Sequence, residues 1–200
     1  MSEKKYSVAS MSPRIDQFLR PLLRHAGFKL DYEIAEGESV NPDFENPEVV
    51  VRFAGADVDV VLANKAELLL ALEYITMEAL RMPSEDHSRI SFDAQDYRAL
   101  RIEELRLSAI AAAEKVKGTG VPFKFNPMNS RERRVIHLAL RNESQVRSES
   151  TGHGGFRQVV IYPAGMASLP EAPPPAYQSA GRPQGRGGSG RPRTQSRGRY

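Results

Sequence analysis

Apolar residues recur at Ile15, Phe18, Leu19, Leu22 and Leu23, the three-and-four spacing of a helix with one face in a core. Ser12-Pro13 offers an N-cap followed by proline at the first helical position, and Gly27 offers a left-handed stop. A helix is therefore predicted from Ser12, with residues 1–11 flexible before it. The period then falls to two: Phe28, Leu30, Tyr32 and Ile34 alternate with Lys29, Asp31 and Glu33, which predicts a half-buried strand. After a polar connection, Val49 to Phe53 reads as a second strand and Asp57 to Ala63 as a short helical turn. Lys65 to Met82 reads as a long helix with Leu68, Leu69, Leu72, Ile75, Ala79 and Leu80 inward, ended by Pro83; Ile90 and Phe92 mark a third strand. The order over residues 12–94 is α-β-β-α-α-β.

The second half has its own pattern. Asp96 to Lys117 is predicted helical, with Ile102, Leu105, Ala109, Ala112 and Val116 inward and Gly118 as its end. A short strand over 121–125, a helix after Asn129, a strand over 145–148, a glycine turn at 152–155 and a strand over 156–161 complete a small α/β unit within residues 95–163. The fold class is α+β. Residues 164–200 carry no apolar period and are rich in Pro, Gly, Ser, Gln and Arg; such a segment cannot bury enough surface to offset its ordering entropy, so a disordered tail is predicted.

Composition narrows the function classes. Cysteine is absent from the 200 residues, so disulfides and thiolate metal sites are excluded, in keeping with a reducing cytoplasm. The start, Met1 to Tyr6, has no apolar core of a secretory signal, and the best apolar run, Leu68 to Leu72, is too short to cross a bilayer, so no membrane insertion is expected. The net charge of +3 hides an asymmetry. Residues 1–94 hold 10 Lys+Arg against 17 Asp+Glu, a net of −7; residues 95–164 hold 12 against 7, a net of +5. Residues 165–200 hold the arginines 182, 186, 191, 193, 197 and 199 against Glu171 alone, again +5. A polyanion is drawn to the second half and the tail and repelled by the first.

The candidate chemistry lies in Asn129-Ser130-Arg131-Glu132-Arg133-Arg134-Val135-Ile136-His137. Asn129 and Glu132 have the spacing of a capping box. Arg133 and His137, four residues apart, fall one above the other on the same helix face, with no carboxylate at the matching spacing. A guanidinium beside an imidazole makes a donor-rich cationic spot suited to a phosphate or an exposed base edge. Arg134 and Arg157 add background charge, and His153, between glycines, is a further candidate donor. In the tail, Arg182, Arg186, Arg191, Arg193, Arg197 and Arg199 suit a sequence-tolerant contact to single strands. No phosphate-binding Gly-rich loop ending in Lys-Ser/Thr, no His-Glu-x-x-His and no Gly-x-Ser-x-Gly occurs, and no acid stands where it would orient His137. The expectation is a binder without metal or cofactor, not an enzyme.

With Ser148-x-Ser150-x-Gly152-x-Gly154 and Arg157-x-Val159-Val160-Ile161 downstream, this run resembles the R-3-H domain, a small single-stranded nucleic-acid binder named for Arg-x-x-x-His. Residues 12–163 resemble the bacterial Jag (SpoIIIJ-associated, also called KhpB) family, which joins a type II KH domain to an R-3-H domain. Glu73-Tyr74 and the Tyr97-Arg98-x-x-Arg101-x-x-x-Leu105 run fall where the family has similar residues, and Arg98 and Arg101 are candidates for the basic surface. The resemblance implies single-stranded RNA binding, a small KH-domain partner protein and post-transcriptional control of cell elongation and division. Many members carry an additional N-terminal domain, which is not expected here.

One departure stands out. The KH clamp is a Gly-x-x-Gly loop, which lets backbone approach phosphates; the equivalent run here is Ala63-Asn64-Lys65-Ala66. Added Cβ atoms disfavour that approach and make left-handed angles costly, and Asn64 with Glu67 reads as a capping box instead. The first half is therefore expected to be a degenerate KH-like scaffold or homodimerisation surface. The alternatives are an adaptor with vestigial RNA binding and a single-stranded DNA binder.

Overall fold

The structure, a computed structural model, describes residues 4–39 and 41–170. Two small sheets, each with its own helices and core, are joined by one long helix. In the first, β1 (Leu30–Glu36) runs antiparallel to β2 (Val49–Gly55), and β2 runs parallel to β3 (Ile90–Ala94). Val49, Val51 and Phe53 alternate inward along β2, with Val51 opposite both Ile34 and Phe92. That face is covered by α1 (Val8–Ala26) and α2 (Val58–Ala79), which contribute Met11, Ile15, Leu19, Leu23, Leu69, Leu72 and Met77.

The α-β-β-α-α-β order is as the pattern predicts, but three details differ. Residues 4–11 are not loose. The first helix begins at Val8, because Ser7 and Ser10 form a reciprocal capping box that outcompetes Ser12-Pro13, and Pro13 lies inside the helix. Ahead of it, the Tyr6 amide donates to Glu48 at 2.7 Å, the Tyr6 hydroxyl to Asp86 at 2.9 Å, and Lys5 pairs with Asp86 at 2.5 Å. The inward face of α2 is also shifted: Ile75 and Ala79 are exposed, whereas Glu73, Thr76 and Met77 are buried. Finally, α2 is two helices broken at Ala63–Ala66. Asn64, Lys65 and Ala66 all adopt left-handed angles (φ 51°, 62° and 58°), so no capping box forms between Asn64 and Glu67. Ala66 is fully buried and the Tyr97 hydroxyl donates to the Lys65 carbonyl at 2.9 Å, so surrounding contacts hold a backbone its residues do not favour.

The joining helix, α3 (Tyr97–Thr119), turns Ile102, Leu105, Ala109, Ala112 and Val116 inward as predicted and ends at Gly120, whose φ of 68° suits glycine. The second sheet is antiparallel in the order β4-β6-β5, with β4 (Phe123–Lys124), β5 (Val146–Thr151) and β6 (Gln158–Pro163). Val159 and Ile161 of β6 pack under α3 and α4 (Ser130–Ala139), which adds Val135 and Ile136.

Residues 164–170, expected to belong to a disordered tail, instead cover the other face of this sheet. Arg147 lies 4.4 Å from the Tyr162 ring centroid and donates to the Met166 carbonyl at 2.7 Å; Ser168 donates to Glu149 at 2.8 Å. The tail cations Arg182, Arg186, Arg191, Arg193, Arg197 and Arg199 lie outside the described residues.

A buried ionic hub joins the halves. Glu73 of α2 accepts from the Phe92 amide at 2.8 Å and pairs with Arg98 at 2.5 Å and Arg131 at 3.1 Å. Arg98 also reaches Glu45 at 3.3 Å, and Arg131 donates to the His87 carbonyl at 2.6 Å. Arg101 pairs with Glu132 at 2.7 Å and Glu104 at 2.8 Å. Arg98 and Arg101 are thus neutralised by acids and do not form basic surface. Among the described residues, no helix is long and apolar enough to cross a membrane.

Candidate nucleic-acid interface

α4 starts where its capping box puts it: the Glu132 amide donates to Asn129 Oδ1 at 2.9 Å, and the Asn129 amide donates back to Glu132 Oε2 at 3.1 Å. Val135 and Ile136, both buried, fix the helix on the sheet. That seating lays Arg133 and His137 over β5, one of the sheet's two edge strands. Here Ser148 and Ser150 pair with Ile161 and Val159, so they share the helix-facing side of the sheet. Hydroxyls thus stand at the rim of an apolar face, and the helix lowers its two cationic side chains onto them.

The contacts form a chain. Arg133 Nη1 donates to Ser150 Oγ at 3.1 Å, while His137 Nε2 lies 2.9 Å from Ser150 Oγ and His137 Nδ1 lies 2.7 Å from Ser148 Oγ. With a neutral imidazole one polarity satisfies all three contacts. Ser150 accepts from Arg133 and donates to Nε2, while Nδ1–H donates to Ser148. Burial first, and Arg133 second, hold the His137 pKa below the ordinary imidazole value, which favours this neutral form. Burial and the neighbouring Arg157 likewise lower the Arg133 pKa, although a guanidinium remains protonated. Arg133 Nε is buried and has no hydrogen-bond partner.

Among the described residues, no carboxylate pairs with Arg133, Arg134 or Arg157. Arg134 and Arg157 are exposed, and Arg157 is close enough to act on Arg133. His153 is exposed in the turn after β5. The structure therefore groups Arg133, His137 and Arg157, and places Arg134 on the same helix. Ser148 and Ser150 are the residues that single-residue reasoning underweighted: their two-residue spacing on a strand puts both on one face. No group of three or more His, Cys, Asp or Glu able to hold a metal occurs among the described residues.

Residues 103–163, which include the whole of this chain of contacts, match the R-3-H domain model. The sequence is 34% identical over 123 residues to RNA-binding protein KhpB of Clostridium symbiosum, covering 62% of this chain and 55% of that protein. The chain is thus similar in sequence to a protein named KhpB. It is 26% identical over 166 residues to RNA-binding protein KhpB of Bacillus subtilis, covering 79% of this chain and 76% of that protein. A third KhpB, from Lactiplantibacillus plantarum, is 26% identical over 129 residues, 64% of this chain and 40% of that protein. The chain thus spans about half the length of two of these three KhpB proteins.

Proposed function

We propose that this chain binds single-stranded RNA through the face built by Arg133, His137, Ser148 and Ser150, with Arg134 and Arg157 as flanking cations. One observation carries the reading: a partly buried guanidinium with an unpartnered Nε and, among the described residues, no carboxylate pairing with it, sharing Ser150 Oγ with an imidazole whose pKa is held down. A phosphate oxygen supplies what both lack. It accepts from Arg133, and its charge raises the His137 pKa that burial and Arg133 hold down. Once His137 is protonated, Nε2–H donates to Ser150 Oγ, and the Ser150 O–H is released toward the anion. Binding and proton uptake are then one event. The names of the KhpB relatives favour RNA as the polymer.

The His137 ring is oriented by serine hydroxyls, which supports a binding role over general-base catalysis. We further propose, from the resemblance, a cytoplasmic post-transcriptional regulator acting in cell elongation and division. Its first half would be a KH-like unit working as a scaffold, with a second copy or a small KH-domain protein as partner. The Ala63–Ala66 loop favours that division of labour, since a buried Ala66 occupies ground that glycine would leave open.

Fluorescence anisotropy of labelled single-stranded RNA against a salt series tests the main reading. Arg133→Ala is expected to weaken binding and to reduce the slope of log affinity against log salt by about one unit. Unchanged affinity and slope would remove Arg133 from the interface. A matching DNA strand run in parallel decides the polymer. A pull-down repeated after nuclease treatment separates an RNA-bridged complex, which falls apart, from a protein adaptor, which keeps its partners.

A further inference from the structure

The hairpin that supplies Ser148 and Ser150 also carries a phenyl ring at its tip. Phe156 is 62% exposed and, among the described residues, makes no aromatic pair; Phe123 and Phe125 by contrast pack edge to face at 5.1 Å and join the second core. A phenyl left in water costs free energy. Here the backbone that carries the ring is also held in place. The Phe156 amide donates to the His153 carbonyl at 3.0 Å and the Arg157 amide to the Gly154 carbonyl at 3.3 Å, closing a tight turn over Gly154–Phe156. Gly152 has φ +90°, and a Cβ there would lie 2.6 Å from the Phe156 carbonyl oxygen, so the hairpin tip cannot open without losing that close approach. The Arg157 carbonyl accepts from the Met128 amide at 3.0 Å, which ties the far side of the turn to the segment leading into α4.

The ring therefore stands on a hydrogen-bonded turn, one residue from Arg157, whose charge reaches Arg133. Thr151 and Gln158 form the last pair of the β5–β6 ladder, so one short hairpin carries the serines on its inner face and Phe156 at its end. We infer that Phe156 is a stacking platform for a base of the strand whose phosphate is held at Arg133 and His137. A π-face serves every base, so the contact adds affinity without adding sequence preference. Cationic donors for the backbone and an aromatic ring for a base together form the minimal single-strand reader. This inference rests on the single-strand reading proposed above.

The test uses the full chain, which contains no tryptophan. Phe156→Trp places a sole indole at the tip. Titration with a single-stranded oligouridylate should quench its emission with the same midpoint as anisotropy reports for binding. Phe156→Ala should weaken binding by about 5- to 150-fold with the salt slope unchanged, since no charge is lost. Phe156→Tyr should restore affinity and Phe156→Leu should not. Because the ring is exposed, thermal unfolding of all variants should match the parent. If the parent binds and Arg133→Ala weakens it, while Phe156→Ala binds like the parent and the indole emission does not change, stacking is overturned and the phosphate site stands. If the parent binds no single strand, the underlying reading fails as well.

Discussion

Arg131 and Arg133 sit two residues apart on the same helix, yet their surroundings are opposite. Arg131 points into the seam between the halves, where it pairs with Glu73 and donates to the His87 carbonyl. Arg133 points to the edge of the second sheet, where it meets one serine hydroxyl, a histidine and the field of another arginine. The seam collects carboxylates: Glu45, Glu73, Glu104 and Glu132 absorb Arg98, Arg101 and Arg131. At the edge, among the described residues, no carboxylate pairs with Arg133; Glu149 of β5 is taken up by Arg147 and Ser168. Net charge per segment cannot make this distinction, because it counts an arginine that is spent and one that is available alike. Which of these arginines is left without a counter-charge thus follows the distribution of the acids more than that of the bases.

The largest expected effect breaks the seam. Glu73→Gln leaves the Arg98 and Arg131 guanidiniums with much less counter-charge in a mostly buried site, a class of change that costs about 3–5 kcal/mol. Urea unfolding should show the loss directly. RNA binding by the fraction that remains folded should keep the parent's salt slope, since Glu73 does not touch the Arg133 face. A stability loss below about 1 kcal/mol would mean the seam is held by apolar packing instead of by its charges.

Next in size is a pH effect confined to the edge. In the free protein His137 has a depressed pKa, so the folded state binds its proton less readily than the unfolded chain does. Its contribution to folding is present above about pH 6.5 and is lost as pH falls through the depressed value. Binding has the opposite sign. The bound anion raises the His137 pKa, so RNA affinity should rise as pH is lowered from about 7.5 to about 6, by at most about tenfold per unit for one proton. His137→Gln should flatten that dependence while Arg133 keeps its share of the salt slope. An affinity that stays constant over this range would show that His137 does not change protonation on binding.

Much of this edge is legible in the sequence, and most of the seam is not. Asn129 and Glu132 announce their capping box at a fixed local spacing, and Arg133 and His137 share a face by helical geometry alone. The inward residues of α3 follow from a simple apolar period. The partners of Arg98 and Arg131 come from Glu73, which is 25 and more residues away, and no local rule brings them together. Burying Glu73 also misleads the periodic reading of α2: an acid placed inward shifts the assigned apolar face onto Ile75, which is exposed. The three left-handed residues at Asn64–Ala66 have no sequence signal, because tertiary contacts impose them against their preference. Phe156 reads as part of a strand because it adjoins Val159-Val160-Ile161; only the turn that precedes β6 exposes it.

The smallest effect separates helix stability from ligand contact. Asn129→Ala removes the side-chain half of the α4 capping box and should cost about 1 kcal/mol of folding stability, within a range of about 0.5–2. The loss falls on the first turn, which carries Arg131 and Glu132 into the seam. His137 lies more than a turn farther on, seated by Val135 and Ile136 and by its two serines. The cap variant should therefore unfold at slightly lower urea, yet bind RNA with an unchanged salt slope and an unchanged pH dependence. If the salt slope falls as it does for Arg133→Ala, the helix start itself contributes to anion binding. The uncompensated charge at the edge would then include the amides of the first turn as well as the side chains above it.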